Sequence, residues 1–418
     1  MALEIKKLLY KSRFKYLWSS QILSAVTLNI MNFLLLARLY SETGSSIATS
    51  LLWVAYSLPA LFFGPIAAAT VDLFSRRKML MVTNLLQAFA VFGFVFVHSQ
   101  NIFILYALVL IYSLLNQFYV PAESAYLPST VRKENLPQAN SLFFVTLQAA
   151  VVMGFGFAGV LQKAIGFDGA MMLCGAFLFL AFISTSFLEE IKPKTEIPEK
   201  FEHALKAFLD SIIEGYSFIK ENKFVLYPLL LLLGMQSTLT IIVVSLPVIA
   251  SQILGISVDF SGISLVVPAG IGATLGSIFI PRLLAKKYRK KLIIEYSLFT
   301  IAVSVLSMTI GIPHLPVGLR VAITPILILL SGFGFVGINI PTLTYLQSVT
   351  PPWLLGRVMG NLFFLSTIIS LFPVLFSGAI TEIFGIRTML TIMALGALSI
   401  LAFSKKIGAK MIKEDFAK

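Results

Sequence analysis

Apolar runs of membrane-crossing length alternate along the whole chain with short polar breaks. The runs fall at 16–38, 47–71, 79–97, 102–121, 140–162, 169–188, 225–250, 261–281, 292–311, 320–346, 356–381 and 387–403. A helix crosses the hydrocarbon core with about 20 apolar residues. Backbone polar groups in that layer must be satisfied internally, which a helix does by itself. The pattern therefore predicts an all-α polytopic membrane protein with twelve transmembrane helices.

The one long polar stretch, Glu189 to Lys223, divides the runs into two sets of six. The expected organisation is an N-terminal bundle (1–190), a cytoplasmic linker (191–223) and a C-terminal bundle with a short basic tail (224–418). The linker begins with the charged, Pro-containing EEIKPKTEIPEK. From Phe201 to Ile219 it repeats apolar residues at helical period, opposite Glu202, Lys206, Asp210 and Glu214. This is an amphipathic helix suited to a membrane interface, and tethering the two halves is role enough for it.

Composition agrees with the run pattern: of 418 residues, 58% are hydrophobic and 12% charged, against about 25% charged in a soluble domain. The net charge of +13 is unevenly distributed. Twenty-eight of the 32 Lys and Arg residues fall in breaks assigned to one side, leaving Arg38, Lys163, Arg320 and Arg387 on the other. Basic residues accumulate in cytoplasmic loops, so both termini are expected in the cytoplasm and the membrane is expected to be the cell membrane. The charge is thus an orientation signal, and no nucleic-acid partner is implied. The basic N-terminus resembles a signal peptide, but the run after it is too long and lacks a small-residue cleavage site, so a permanent first span is expected.

Cys174 stands alone and the three His residues lie in polar breaks, so no metal site, cofactor or His-based catalysis is expected. No G-x-x-x-x-G-K-[ST] occurs, which disfavours an ATP-driven pump. An enzyme would want an intramembrane acid or His constellation, and the spans offer none.

The halves repeat each other. Pro121 pairs with Pro341, Asn140-Ser-Leu-Phe-Phe144 with Gly360-Asn-Leu-Phe-Phe364, Gly159 with Gly378, and Gly166 with Gly385. A duplicated six-span unit with the same topology in each half gives parallel repeats, the architecture of carriers that rock two bundles about a midplane site.

The layout resembles the major facilitator superfamily, and details resemble its macrolide-efflux and siderophore-exporter branch of drug/proton antiporters. The superfamily's loop signature, G-x-x-x-D-[RK]-x-G-R-[RK]-[RK], maps onto Ala68, Asp72, Leu73, Ser75, Arg76, Arg77 and Lys78. The Asp and the three terminal basic residues match; both glycines and the first basic residue do not. Branch-like stretches are Gly64 to Ala67, Pro121 to Asn140, and Leu346, Gln347, Pro351, Gly356 and Arg357. The resemblance implies a secondary active transporter exporting a small amphipathic compound, with proton antiport open. Uptake or uniport of a nutrient by the same fold is the alternative. Its expected partners are the lipid bilayer, a small-molecule substrate and protons, and a monomer is expected to suffice.

The resemblance makes Gly64, Asp72, Arg76, Arg77 and Lys78 a cytoplasmic gating motif. A topology anchor that contains an acid is the other reading. Because the first, fourth, seventh and tenth spans line the cavity in the family, Asn29, Asn32, Asn116, Gln117, Gln236, Thr240, Asn339 and Gln347 become cavity candidates. Interhelical hydrogen bonding competes with that role at each position. Gly154, Gly159 and Gly378 are expected at helix crossings, as hinges or as close-packing points. Proton coupling needs a titratable group, and the candidates are Glu123 and Glu295. Glu295 follows Lys291 by four residues, a spacing that also suits a structural pair.

Overall fold

The structure is a computed structural model that describes residues 12–70, 74–97, 101–132, 135–190 and 214–415. The first five long helices are α1 (Ser12–Thr43), α2 (Ser46–Thr70), α3 (Arg76–Val97), α4 (Phe103–Tyr126) and α5 (Leu136–Ser186). The remainder are α6 (Lys223–Val244), α7 (Val267–Ala285), α8 (Lys290–Leu306), α9 (Val317–Val349), α10 (Pro352–Phe384) and α11 (Ile386–Asp415).

Ten helices among the described residues are long and apolar enough to cross a membrane, and a shorter apolar helix runs over Ile386–Ala402. The 51-residue α5 is two spans in one: its backbone leaves helical geometry at Gly166, with φ 76° and ψ 169°. With α5 divided there and the last helix included, the described residues hold twelve apolar helical segments, the number that the run pattern predicts.

Gly166 and Gly385 are the points where the repeat becomes visible in the backbone. Gly385 joins α10 to α11 with φ 83° and ψ 158°, so the paired glycines adopt one conformation at corresponding joints. This region of φ/ψ is open to glycine and closed to residues with a Cβ. Each glycine turns the chain between the last two spans of its half.

The chain divides into two compact units, Met1–Gly44 with Leu51–Ile213, and Ser45–Ser50 with Glu214–Lys418. Residues 191–213, most of the expected amphipathic linker, lie outside the described residues. In the first unit α5 packs against α1 and α3, and α3 against α4. In the second, α10 packs against α6, α8 against α11, and α8 against α9, which is the same pattern one half later.

Lipid and core side chains are equally apolar, so close fit of backbones replaces the hydrophobic effect in holding such helices together. At the α7–α9 crossing a Cβ on Gly272 would overlap the Leu329 carbonyl, and one on Gly332 would overlap the Ala269 carbonyl. At the α1–α5 crossing a Cβ on Gly154 would collide with the Asn29 side chain and lie 3.0 Å from Ile30 N. Gly378 meets Ser46 and Ser50 at the start of α2 in the same way. Gly154 and Gly378 are therefore packing points; Gly159 is buried on α5 one turn beyond Phe155.

Candidate functional site

The buried polar side chains of the first unit gather at one place. Ser20 and Ser24 are one turn apart on α1, Asn84 projects from α3, and Tyr119 and Glu123 are one turn apart on α4. Ser24 Oγ donates to Asn84 Oδ1 at 3.1 Å, and Asn84 Nδ2 donates to Ser20 Oγ at 3.1 Å. Ser20 Oγ lies 3.1 Å from the Tyr119 hydroxyl, which donates to Glu123 Oε1 at 2.9 Å. All five residues are buried, Glu123 at 7% exposure and Asn84 at 0%. An apolar shell of Phe14, Leu17, Leu80, Tyr119, Ala122 and Phe143 encloses this end of the bundle.

Glu123 was legible in the sequence as an acid near a span end; the residues that hold it were not among the candidates. The signal was available, since Ser20/Ser24 and Tyr119/Glu123 are both i, i+4 polar pairs inside apolar runs and so share a helix face. Among the described residues no Lys or Arg forms an ion pair with Glu123. Glu295 differs: Lys291 Nζ lies 3.5 Å from its Oε1, the structural pair that the spacing suggested.

The basic residues of the loop motif face the ends of neighbouring helices in their own unit. Arg76 Nη1 donates to Ala125 O at 3.0 Å near the end of α4, and Arg77 Nη2 to Ser186 O at 2.6 Å at the end of α5. Lys78 Nζ lies 3.2 Å from Glu190 Oε1 just beyond α5. Cations there complement the negative end of the helix dipole. The Lys78 ammonium also holds the exposed Glu190 carboxyl below the usual carboxylate range. Arg13 pairs with Glu189, whose carbonyl accepts from Tyr126 Oη at 2.8 Å. Asp72, the acid of the motif, lies outside the described residues. Gly64 is half-buried, with Gln117 Oε1 3.9 Å from where its Cβ would be.

The remaining amides divide by what they do locally. Asn29 Nδ2 returns to Ala25 O on its own helix at 2.8 Å, and Gln117 Nε2 to Ser113 O at 3.3 Å. Asn116 hydrogen-bonds the Tyr56 side chain of α2. Thr240 is buried and donates to Gln236 O at 3.0 Å. Asn32 and Asn339 are half-buried, while Gln236 and Gln347 are exposed. Asn29 thus sits at the α1–α5 crossing, apart from Asn32 one turn on.

The sequence profile of the Major Facilitator Superfamily matches residues 17–372. An MFS-type transporter of Bacillus subtilis (strain 168), YfiS, uncharacterized in activity, is 25% identical over 409 residues, spanning 96% of this chain and 93% of its own. A second from the same organism, YkuC, also uncharacterized, is 26% identical over 202 residues, covering 46% of this chain and 45% of its own. Among solved structures, the nucleoside transporter NupG aligns with a TM-score of 0.70 at 15% identity, covering 93% of this chain and 98% of that one. A bacterial homolog of the human lysosomal transporter Spinster, inward-facing and unoccupied, aligns with a TM-score of 0.71 at 12% identity over 97% and 98%. The profile match spans most of the twelve-span, two-repeat chain, and the solved structures share its fold. The chain belongs to the Major Facilitator Superfamily of membrane transporters, and it is not an enzyme.

Proposed function

We propose that this transporter exports a small amphipathic compound across the cell membrane by alternating access, in exchange for protons, with both termini in the cytoplasm. The observation that carries the coupling is Glu123, a buried carboxyl on a membrane-spanning helix with a tyrosine donor and no ion-pair partner among the described residues. Ionisable groups at such positions are costly, and they mark ion or substrate pathways. One carboxyl that gains and releases a proton as access alternates is the minimum an antiporter requires.

Export follows from the branch-like motifs around Asp72 and Pro121 and after the tenth span. In this reading Asp72 belongs to a latch made in one state and broken in the other, so even a weak contact biases the cycle. The amides of Asn32, Asn116, Gln117, Gln236, Asn339 and Gln347 offer donors and acceptors without charge, which suits a neutral or mildly polar molecule. Uptake or uniport of a nutrient or metabolite is the second reading, kept because the fold is shared with the nucleoside transporter NupG and the POT family transporter PepTSo. At 15% and 12% identity that likeness concerns the fold, so export ranks first.

The test is accumulation of a panel of amphipathic dyes and antibiotics in an efflux-deficient host, with and without a protonophore. Lower accumulation on expression, restored by the protonophore, supports the proposal. Raised accumulation of any member of the panel supports uptake instead.

A further inference from the structure

The contacts around Glu123 have a direction. Tyr119 spends its only hydroxyl proton on Glu123 Oε1 at 2.9 Å. In its 3.1 Å contact with Ser20, Tyr119 must then accept, so Ser20 donates. Ser20 in turn accepts from Asn84 Nδ2, and the Asn84 carbonyl oxygen accepts from Ser24. All four bonds point toward the carboxyl, the arrangement that an ionised acceptor demands. Bonds aligned in this way polarise one another, and the burial of every member keeps water from substituting for any of them.

Protonation removes the reason for that direction. A carboxylic acid can donate, and the neighbour it meets is the Tyr119 oxygen. Tyr119 then donates to Ser20, and the Ser20 hydroxyl needs a new acceptor. A half-turn of the Asn84 amide supplies one, presenting Oδ1 to Ser20 and Nδ2 to Ser24. Ser24 can release its proton to a carbonyl one turn back on α1, a common resting place for a helical serine. The change adds one proton from water to one carboxylate oxygen. Every other O–H and N–H bond is kept and only rotates.

We propose that Ser24, Asn84, Ser20 and Tyr119 form a reversible hydrogen-bond chain that positions the Glu123 carboxyl and carries its protonation state from α4 to α1 and α3. This deepens the antiport reading and rests on it for its purpose, but not for its existence. Asn84 is the switch, because it is the one member whose donor and acceptor are different atoms. The charged and titratable groups at this end of the packed elements are Arg13, Lys15 and Tyr16 on α1, Arg76, Arg77 and Lys78 on α3, Tyr126 on α4, and Glu189 and Glu190 after α5. Arg13, Arg76, Arg77, Lys78, Tyr126, Glu189 and Glu190 make the bonds to other partners given above, and Tyr119 is the group whose hydroxyl meets Glu123.

The experiment is infrared spectroscopy of the purified, reconstituted protein across a pH series. The Glu123 carboxyl band is assigned by its disappearance in Glu123→Gln. Glu190→Gln, on the exposed pair with Lys78, serves as a control that leaves the band in place. Losing a hydrogen bond to a charged group corresponds to about tenfold or more in proton concentration, and Tyr119→Phe is expected to displace the half-point of the band by that amount. Asn84 bonds Ser20 and Ser24 and is not hydrogen-bonded to Glu123 or Tyr119, whereas Ser24 also hydrogen-bonds the Tyr119 side chain; Asn84→Leu is therefore the remote variant, and it is expected to displace the half-point and change the band frequency. If Asn84→Leu fails to fold, Asn84→Ala carries the test. A half-point and frequency identical to wild type in the Asn84 variant overturn the chain, even where protonophore-sensitive export persists. A chain-dependent band in a protein whose transport ignores the protonophore upholds the chain and overturns the antiport reading.

Discussion

Replacing Gly166 or Gly385 with Ala should destabilise the protein, while the same replacement at Gly93 should not. Gly166 has φ 76° and ψ 169°, and Gly385 has φ 83° and ψ 158°. Neither would bring a Cβ within 4 Å of another part of the chain, so crowding plays no part. The whole penalty is backbone strain, about 1–3 kcal/mol for a residue held in a glycine-only region. Gly93 also has empty space around its Cβ position, but it lies within α3 at helical geometry. There Ala is favoured by about 0.5–1 kcal/mol, since it restricts the unfolded chain and suits a helix. The two joints lie in different units, so their effects should add. Thermal unfolding of the purified variants in detergent, followed by loss of the monodisperse species, reads the sign directly. Unchanged midpoints for Gly166→Ala and Gly385→Ala, or an equal loss in Gly93→Ala, would refute the reasoning.

Glu123→Gln should abolish protonophore-sensitive transport while leaving membrane insertion and thermal stability near wild type, as membrane-fraction blotting and unfolding midpoints would show. Glu382 accepts from Ser46 N at 2.6 Å, Ile47 N at 3.2 Å and Ser45 Oγ at 3.0 Å, capping the first turn of α2; Glu382→Ala should cost about 0.5–2 kcal/mol of thermal stability. The Glu190 carboxyl is held low by Lys78. Any stability from that pair is present at neutral pH and lost as pH falls through the lowered value, so Glu190→Gln should flatten the acid limb of a stability profile and change little at pH 7. Asp72→Asn should reduce transport without affecting insertion, and full activity would remove the latch. Reporter fusions at His98 and His314 should place both loops outside, and a cytoplasmic signal at either would break the orientation.

The spans, their number and the Gly166/Gly385 correspondence were legible in the sequence because the bilayer imposes length and apolarity on each crossing. The helix count hid two of them: α5 runs through Gly166 with little interruption, and the apolar part of the last helix is short. The Lys291–Glu295 pair was legible from i, i+4 spacing alone. Less legible were contacts between helices. Arg76, Arg77 and Lys78 read as loop charges, and their acceptors at Ala125, Ser186 and Glu190 come together only when α3, α4 and α5 pack. The Ser24–Asn84–Ser20–Tyr119 chain was missed for the same reason, as its members lie on three helices and none carries charge. Gly154 read equally as hinge or packing point until Asn29 was placed against it.

The most direct measurement uses inverted membrane vesicles energised to a proton gradient and monitored with a pH-sensitive dye. A compound identified in the accumulation panel is then added. Compound-induced collapse of the gradient in vesicles bearing the wild-type protein, absent with Glu123→Gln, is the predicted result. Transport of the compound with no change in the gradient, or equal collapse in the variant, would contradict proton exchange through Glu123.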